Sequence, residues 1–217
     1  MNELKHLLFL TRIDGLGAVR IKRLIDRFGN ASGVFNASIN EISEIENISV
    51  KTAQLILNTY ESIDEFDSTF EAYIEKAEEH DITILALSDS RYPDLLKRIY
   101  DPPVLLYMRG KYDPALIVNS VGIVGTRKPT DYGKKMAEKF AEELSTAGIA
   151  VISGFARGVD TIAHKAVLKN GNASAITAAV FGCGVDMIYP PENKALYDEM
   201  CEKGLLISEY EISAFPD

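Results

Sequence analysis

Two glycine-punctuated apolar runs constrain this chain more than any other feature. One reads V-G-I-V-G-T-R-K-P-T-D-Y-G from Val121 to Gly133, and the other V-I-S-G-F-A-R-G-V-D from Val151 to Asp160. They lie about one strand-helix-strand unit apart, and each ends in a glycine followed by an arginine. A doubly wound α/β domain builds its phosphate-binding crevice this way, at the carboxyl ends of parallel strands. The pattern predicts an α/β, Rossmann-like fold and a phosphate-bearing ligand.

Val121 to Val124 has the composition of a buried parallel strand, with Gly125 where the chain turns or lets a ligand near the backbone. Pro129 breaks the strand pattern. Thr130 or Asp131 can cap a helix whose apolar side is Met136, Ala137, Phe140, Ala141 and Leu144, and Gly148 closes it. Ala150 to Ser153 reads as the next strand and Val159 to Lys169 as the next helix, with Ile162, Ala163, Ala166 and Val167 inward. Asp160 and His164 share one face of that helix. They read as a helix-end carboxylate supporting a histidine more than as an acid-base pair, since no nucleophile or metal ligand joins them. Thr177 to Phe181 and Leu205 to Ser208 read as further strands. The bland reading makes Gly122 a packing residue and pairs Arg157 with Asp160, but two strand-end arginines in one crevice favour the anion site. G-x-G-x-x-G and G-x-x-x-x-G-K-[ST] are both absent, so no nucleotide cofactor is expected.

The N-terminal third is helical. I-D-G-L-G at Ile13 to Gly17, followed by A-V-R-I-K-R-L, has the form of a helix-hairpin-helix turn, where glycines let backbone amides approach a phosphate. About thirty residues on, I-E-N-I-S at Ile45 to Ser49 repeats the layout with both glycines replaced. Either the pair touches nucleic acid, or it forms a helical bundle that only packs or binds protein. Phe66 to His80 predicts a connecting helix. Ile82 to Leu87 and Val104 to Arg109 predict strands at the sheet's edge, so the domains divide as 1–80 and 81–217.

Net charge is −9, yet residues 31–80 alone hold eleven acidic and two basic side chains, while 1–30 and 121–170 each balance at +3. The acid is segregated, and the potential near Arg127 can still favour an anion. No apolar run approaches a membrane span and the M-N-E-L-K-H start is unlike a signal peptide, which together predict a cytoplasmic protein with no membrane partner. Cys183 and Cys201 have no zinc-like neighbours, so no metal is expected.

V-G-I-V-G-T-R at Val121 to Arg127, Tyr132 with Gly133, S-G-F-A-R-G-V-D at Ser153 to Asp160 and Ala163 with His164 occur in order. F-G-C-G-V-D at Phe181 to Asp186, Y-P-P-E-N at Tyr189 to Asn193 and S-E-Y at Ser208 to Tyr210 follow. Together they resemble the DprA (Smf) family of DNA-processing proteins. The resemblance implies a sterile-alpha-motif-like helical domain before a Rossmann-like, mainly parallel sheet with a mixed edge. It implies a non-enzymatic single-stranded DNA binder that protects incoming DNA in natural transformation and loads a RecA-type recombinase. Thr126 stands where the family has Ser, and N-A-S-A-I before Thr177 is longer than the family's turn. The family continues past S-E-Y into an Arg-Asn-Arg segment and further strands. A chain ending at Asp217 is therefore expected to leave the edge at Leu205 to Ser208 open and to lack the family's homodimer.

On this reading Arg127 grips a phosphate, Gly125 and Gly154 bring backbone amides close, and Lys128, Arg157 and Lys165 add charge, with Thr126 between them. The alternative is a phosphoribohydrolase-like Rossmann enzyme with Glu192 or Glu209 as its carboxylate, although neither lies in the G-G-x-G-T-x-x-E context of those enzymes.

Overall fold

The structure, a computed structural model, describes residues 2–171 and 176–216. Most of the N-A-S-A-I segment, at 172–175, lies outside the described residues. Two compact units emerge, one of residues 1–76 with 86–105 and the other of 77–85 with 106–217. Where the sequence suggests one division near Asp81, the chain passes between the units three times.

The first unit holds α1 (Asn2–Thr11), α2 (Ala18–Phe28), α3 (Ala31–Val34), α4 (Ile39–Ser43), α5 (Val50–Tyr60) and most of α6 (Ile63–Glu79). Leu7, Leu10, Ile21, Leu24, Ile42 and Ile56 are buried in it. Phe35 stacks on Tyr60 at 4.0 Å, with Phe9 edge-on to both. The hairpin repeat is visible in the backbone, because Gly15 at φ +73° and Asn47 at φ +66° make the same left-handed turn. Asparagine is one of the few side chains that tolerate it. The helix starts then differ. Gly17 precedes α2 without a side-chain cap, whereas Ser49 accepts the Thr52 N–H and closes the start of α5 on itself.

The second unit carries the sheet. Its strands are β1 (Ile82–Ala86), β2 (Leu105–Gly110), β3 (Ser120–Gly122), β4 (Ala150–Ser153), β5 (Thr177–Phe181) and β6 (Leu205–Ser208), in the order β1-β2-β6-β5-β4-β3. β3 to β6 are parallel, and β2 joins β6 antiparallel with Tyr107 opposite Ser208. Between them run α9 (Asp131–Thr146), α10 (Val159–Asn170) and α11 (Lys194–Lys203); α8 (Pro114–Ile117) is a single turn, as is α7 (Asp94–Lys97) in the first unit. Three successive strand-helix-strand units step the same way across the sheet, so right-handed crossovers place all three long helices on one face. α10 packs against both α9 and α11, and Val151 meets Ala141, Ala163, Ala166 and Val167 beneath them.

This order corrects two expectations. Leu205 to Ser208 is not an open edge, because β6 lies between β5 and β2. The edges are β1 and β3, and the apolar run at Val121 to Val124 is not buried: Val124 is 83% exposed. A run that is apolar on both sides suits a central strand, but β3 has a neighbour on one side only. The face away from the helices buries Ala178 and Leu205, in register with one another, yet leaves Val180 48% exposed. Phe140 also turns outward, one position off the Ala137, Ala141 and Ser145 line that α9 buries.

Candidate nucleic-acid interface at the strand ends

The loops that follow β3 and β4 close on each other through their backbones. Val159 N–H donates to the Thr126 carbonyl at 3.3 Å. Gly158 sits at φ +83°, and a Cβ there would lie 2.8 Å from Arg127 Cα and strike the Thr126 carbonyl. Only glycine meets both demands. The backbone that carries Arg127 therefore rests against the residue next to Arg157, and the two strand-end loops form one surface.

Beneath that surface the second loop is latched at nearly every residue. The Asp160 carboxylate accepts the Ala156 N–H at 3.2 Å, and Thr161 Oγ1 donates to the Ala156 carbonyl at 2.7 Å. Asn193 Nδ2 reaches back to the Phe155 carbonyl at 3.0 Å and to Thr161 Oγ1 at 3.0 Å. His164, fully buried, lies 2.6 Å through Nε2 from the Gly154 carbonyl and 2.6 Å through Nδ1 from Thr177 Oγ1. A carbonyl only accepts, so Nε2 carries the hydrogen, while the single hydrogen of the Thr177 hydroxyl is shared between Nδ1 and the Val151 carbonyl, 3.1 Å from Oγ1. Burial pushes this imidazole below its ordinary value, against the opposing pull of the Gly154 carbonyl and Asp160. Asp160 and His164 each hold the loop through a partner of its own, Ala156 for the carboxylate and Gly154 for the imidazole, so the carboxylate does not hydrogen-bond the histidine as the sequence suggests.

The charges on top differ sharply in company. Arg127 and Lys128 are exposed, and neither side chain makes an ion pair or hydrogen bond among the described residues. Thr126 Oγ1 accepts the Lys128 N–H at 3.1 Å and shapes the turn between them. Arg157 is not paired with Asp160; its Nε donates to Glu192 Oε1, in the 3-10 turn Pro191–Asn193. The hydrogen bond and charge of Arg157 hold the Glu192 carboxyl low, and Glu192 in turn raises Arg157. Lys165 stands on the exposed side of α10, about 9 Å along the axis from its first residue, and among the described residues no hydrogen bond or ion pair joins it to the loops.

Gly125 and Gly154 also permit close approach within the chain itself. A Cβ on Gly125 would lie 2.6 Å from Val159 Cγ2, and one on Gly154 would lie 2.6 Å from Asp160 Oδ2. Both make room for the chain's own side chains. The two helix starts differ: at α9 the Thr130 hydroxyl accepts the Gly133 N–H at 3.2 Å, whereas α10 follows Gly158 without a side-chain cap, Asp160 holding the Ala156 N–H of the preceding loop instead. Sequence reasoning gave Asn193 and Thr161 no role; a buried amide just after a Pro-Pro turn is the signal that marks Asn193.

Cys183 is buried, and burial pushes its thiol up, which disfavours the reactive thiolate. Among the described residues no group of three metal-capable side chains occurs. No helix among them is long and apolar enough to cross a membrane.

Comparison with known proteins gives this geometry a lineage. A helix-hairpin-helix tandem model of the SAM-like type matches residues 7–60. Protein Smf of Synechocystis sp. is 32% identical over 220 residues, covering 100% of this chain and 53% of that protein. DNA processing protein DprA of Bacillus subtilis is 38% identical over 132 residues, 61% of this chain and 43% of that one. The chain thus spans about half the length of these relatives. The X-ray structure of DprA from Streptococcus pneumoniae matches with a TM-score of 0.78 at 28% identity, over 98% of this chain and 70% of the other. DNA processing protein A of Helicobacter pylori, described for a unique single-stranded DNA binding mode, matches with a TM-score of 0.54 at 33% identity, over 63% of this chain and 59% of that one. The model described as DNA recombination-mediator protein A covers residues 83–217, every strand of the sheet but the first residue of β1 included, and the chain belongs to that family.

Proposed function

We propose that the joined loops after β3 and β4 bind the sugar-phosphate backbone of single-stranded DNA without chemical turnover, as part of DNA processing in natural transformation. The observation that carries this is the contact of Gly158 with Arg127, which gathers Arg127, Lys128 and Arg157 on one exposed surface. Family membership and the single-stranded DNA binding described for the H. pylori relative support it. Exposed arginine and lysine on a rigid base suit phosphates and carry no base selectivity. Gly125, Thr126 and Gly154 shape the surface, and Lys165 adds charge at a distance.

Phosphoribohydrolase chemistry is the weaker reading. A Glu192 carboxyl held low by Arg157 stays ionised and is a poor proton donor. Cytoplasmic location and delivery of DNA to a RecA-type recombinase belong to the same proposal. Loading is tested by recombinase filament formation on protein-coated oligonucleotide.

The decisive experiment is binding of a labelled single-stranded oligonucleotide against salt. Arg127→Ala should weaken binding at every sequence and reduce the salt slope by about 0.7, one phosphate's worth on a single strand. A variant that binds with unchanged affinity and slope would move the DNA off this surface. Release of free base from a nucleoside monophosphate by the wild-type chain would favour the enzyme reading instead.

A further inference from the structure

Glu192 has a role that phosphate binding alone does not require. Its backbone is fixed, because Asn193 N–H donates to the Pro190 carbonyl at 3.0 Å and the Asn193 side chain is buried against Phe155 and Thr161. Arg157 is fixed too, between the latched residues 154–156 and Gly158. Two adjacent residues therefore reach the same loop: Asn193 inward with a neutral amide, Glu192 outward with a charge. The ion pair follows from two anchored backbones rather than from a long side chain finding a neighbour. Its members keep 58% and 50% of their side-chain surface in solvent, so the carboxylate is open to exchange. The Glu192 side chain has no other ion pair among the described residues.

We propose that the Glu192 carboxylate occupies the place of a nucleic-acid phosphate on Arg157, and that DNA displaces it on binding. This rests on the proposed single-stranded DNA binding. An exposed carboxylate-guanidinium pair is weak and yields to a phosphate, which offers more acceptor oxygens. While the pair stands, Arg157 adds little net charge to the surface and Glu192 repels the incoming strand. Arg127, with no such partner among the described residues, is left to make first contact. Glu192 thereby sets how far the second loop contributes, and holds the surface below its full affinity.

The test is oligonucleotide binding against salt for the wild type, Glu192→Gln, Arg157→Ala and the double variant, with thermal melting of each. Glu192→Gln should bind about two- to fivefold tighter at low salt and steepen the salt slope by up to about 0.7. Arg157→Ala should cost much less than Arg127→Ala, and the double variant should match Arg157→Ala. If Glu192→Gln binds more weakly than wild type, or melts lower with no gain in affinity, the carboxylate orients or supports Arg157 and the proposal is overturned. Unchanged affinity and slope overturn it equally. In all these cases Arg127→Ala still reports separately on whether DNA uses the surface at all.

Discussion

The loop after β3 and the loop after β4 begin alike, as a strand end, a glycine and an arginine two or three residues on, yet they are held in opposite ways. The second is pinned from below by Asp160, Thr161, His164 and Asn193, and its arginine is matched by Glu192. The first is held at its root, where Ser153 Oγ donates to the Ile123 carbonyl at 2.6 Å and Ile123 packs on the core. It leans on the second through Gly158 and Val159 and leaves Arg127 and Lys128 uncommitted. One loop is the platform and the other is the reach, and similar sequence motifs conceal that division.

The sharpest way to break the comparison is Gly158→Ala. A methyl group there meets backbone atoms of Thr126 and Arg127, which have no rotamer with which to escape, at a φ that alanine avoids. We expect a loss of about 3 kcal/mol in urea unfolding, and weaker DNA binding even where the protein remains folded. A variant as stable as wild type would show that the loops do not bear on one another.

The platform is expected to respond to acid. His164 has its folded value depressed by burial, so the neutral form is favoured in the folded state. Its contribution is fully present above the ordinary imidazole value near 6.5 and is lost as pH falls from there toward the folded value, at up to about 1.4 kcal/mol per unit. Replacing His164 by Gln keeps one donor and one acceptor without the titration. Stability measured between pH 7 and 5 should fall more steeply in wild type than in this variant; parallel curves would remove His164 from the acid response.

The smallest effect belongs downstream of the first loop. Thr130→Ala removes the cap on Gly133 and should cost about 1 kcal/mol, with the salt slope of DNA binding unchanged. A changed slope would mean that the start of α9 carries part of the phosphate contact.

Much of this was legible in the chain. The apolar spacing marks α9 and α10, the glycines end β4 and β5, and the shared left-handed turn of Gly15 and Asn47 lies where the tandem hairpin reading places it. What local sequence does not carry is who stands next to whom. V-G-I-V has the same composition whether the strand is central or at an edge, and nothing near Leu205 announces an antiparallel partner at Tyr107. Gly125 and Gly154 likewise announce that something comes close, without saying whether it is a ligand or the chain's own Val159 and Asp160. The partner of Arg157 is 35 residues further on, beyond the reach of any helical or strand period.

The strand order also sets a timetable. Each parallel pair from β3 to β6 joins strands that follow one another in the chain, and Val151 meets Thr177 after a single intervening helix. Tyr107 must wait for Ser208, about a hundred residues later, and closing that longer loop costs about 1 kcal/mol more in chain entropy. As the polypeptide leaves the ribosome, β1 and β2 are made first and the parallel strands can assemble behind them, but the antiparallel seam cannot form until the last strand of the sheet has emerged. The oldest strands in the sheet are thus joined to it by the youngest.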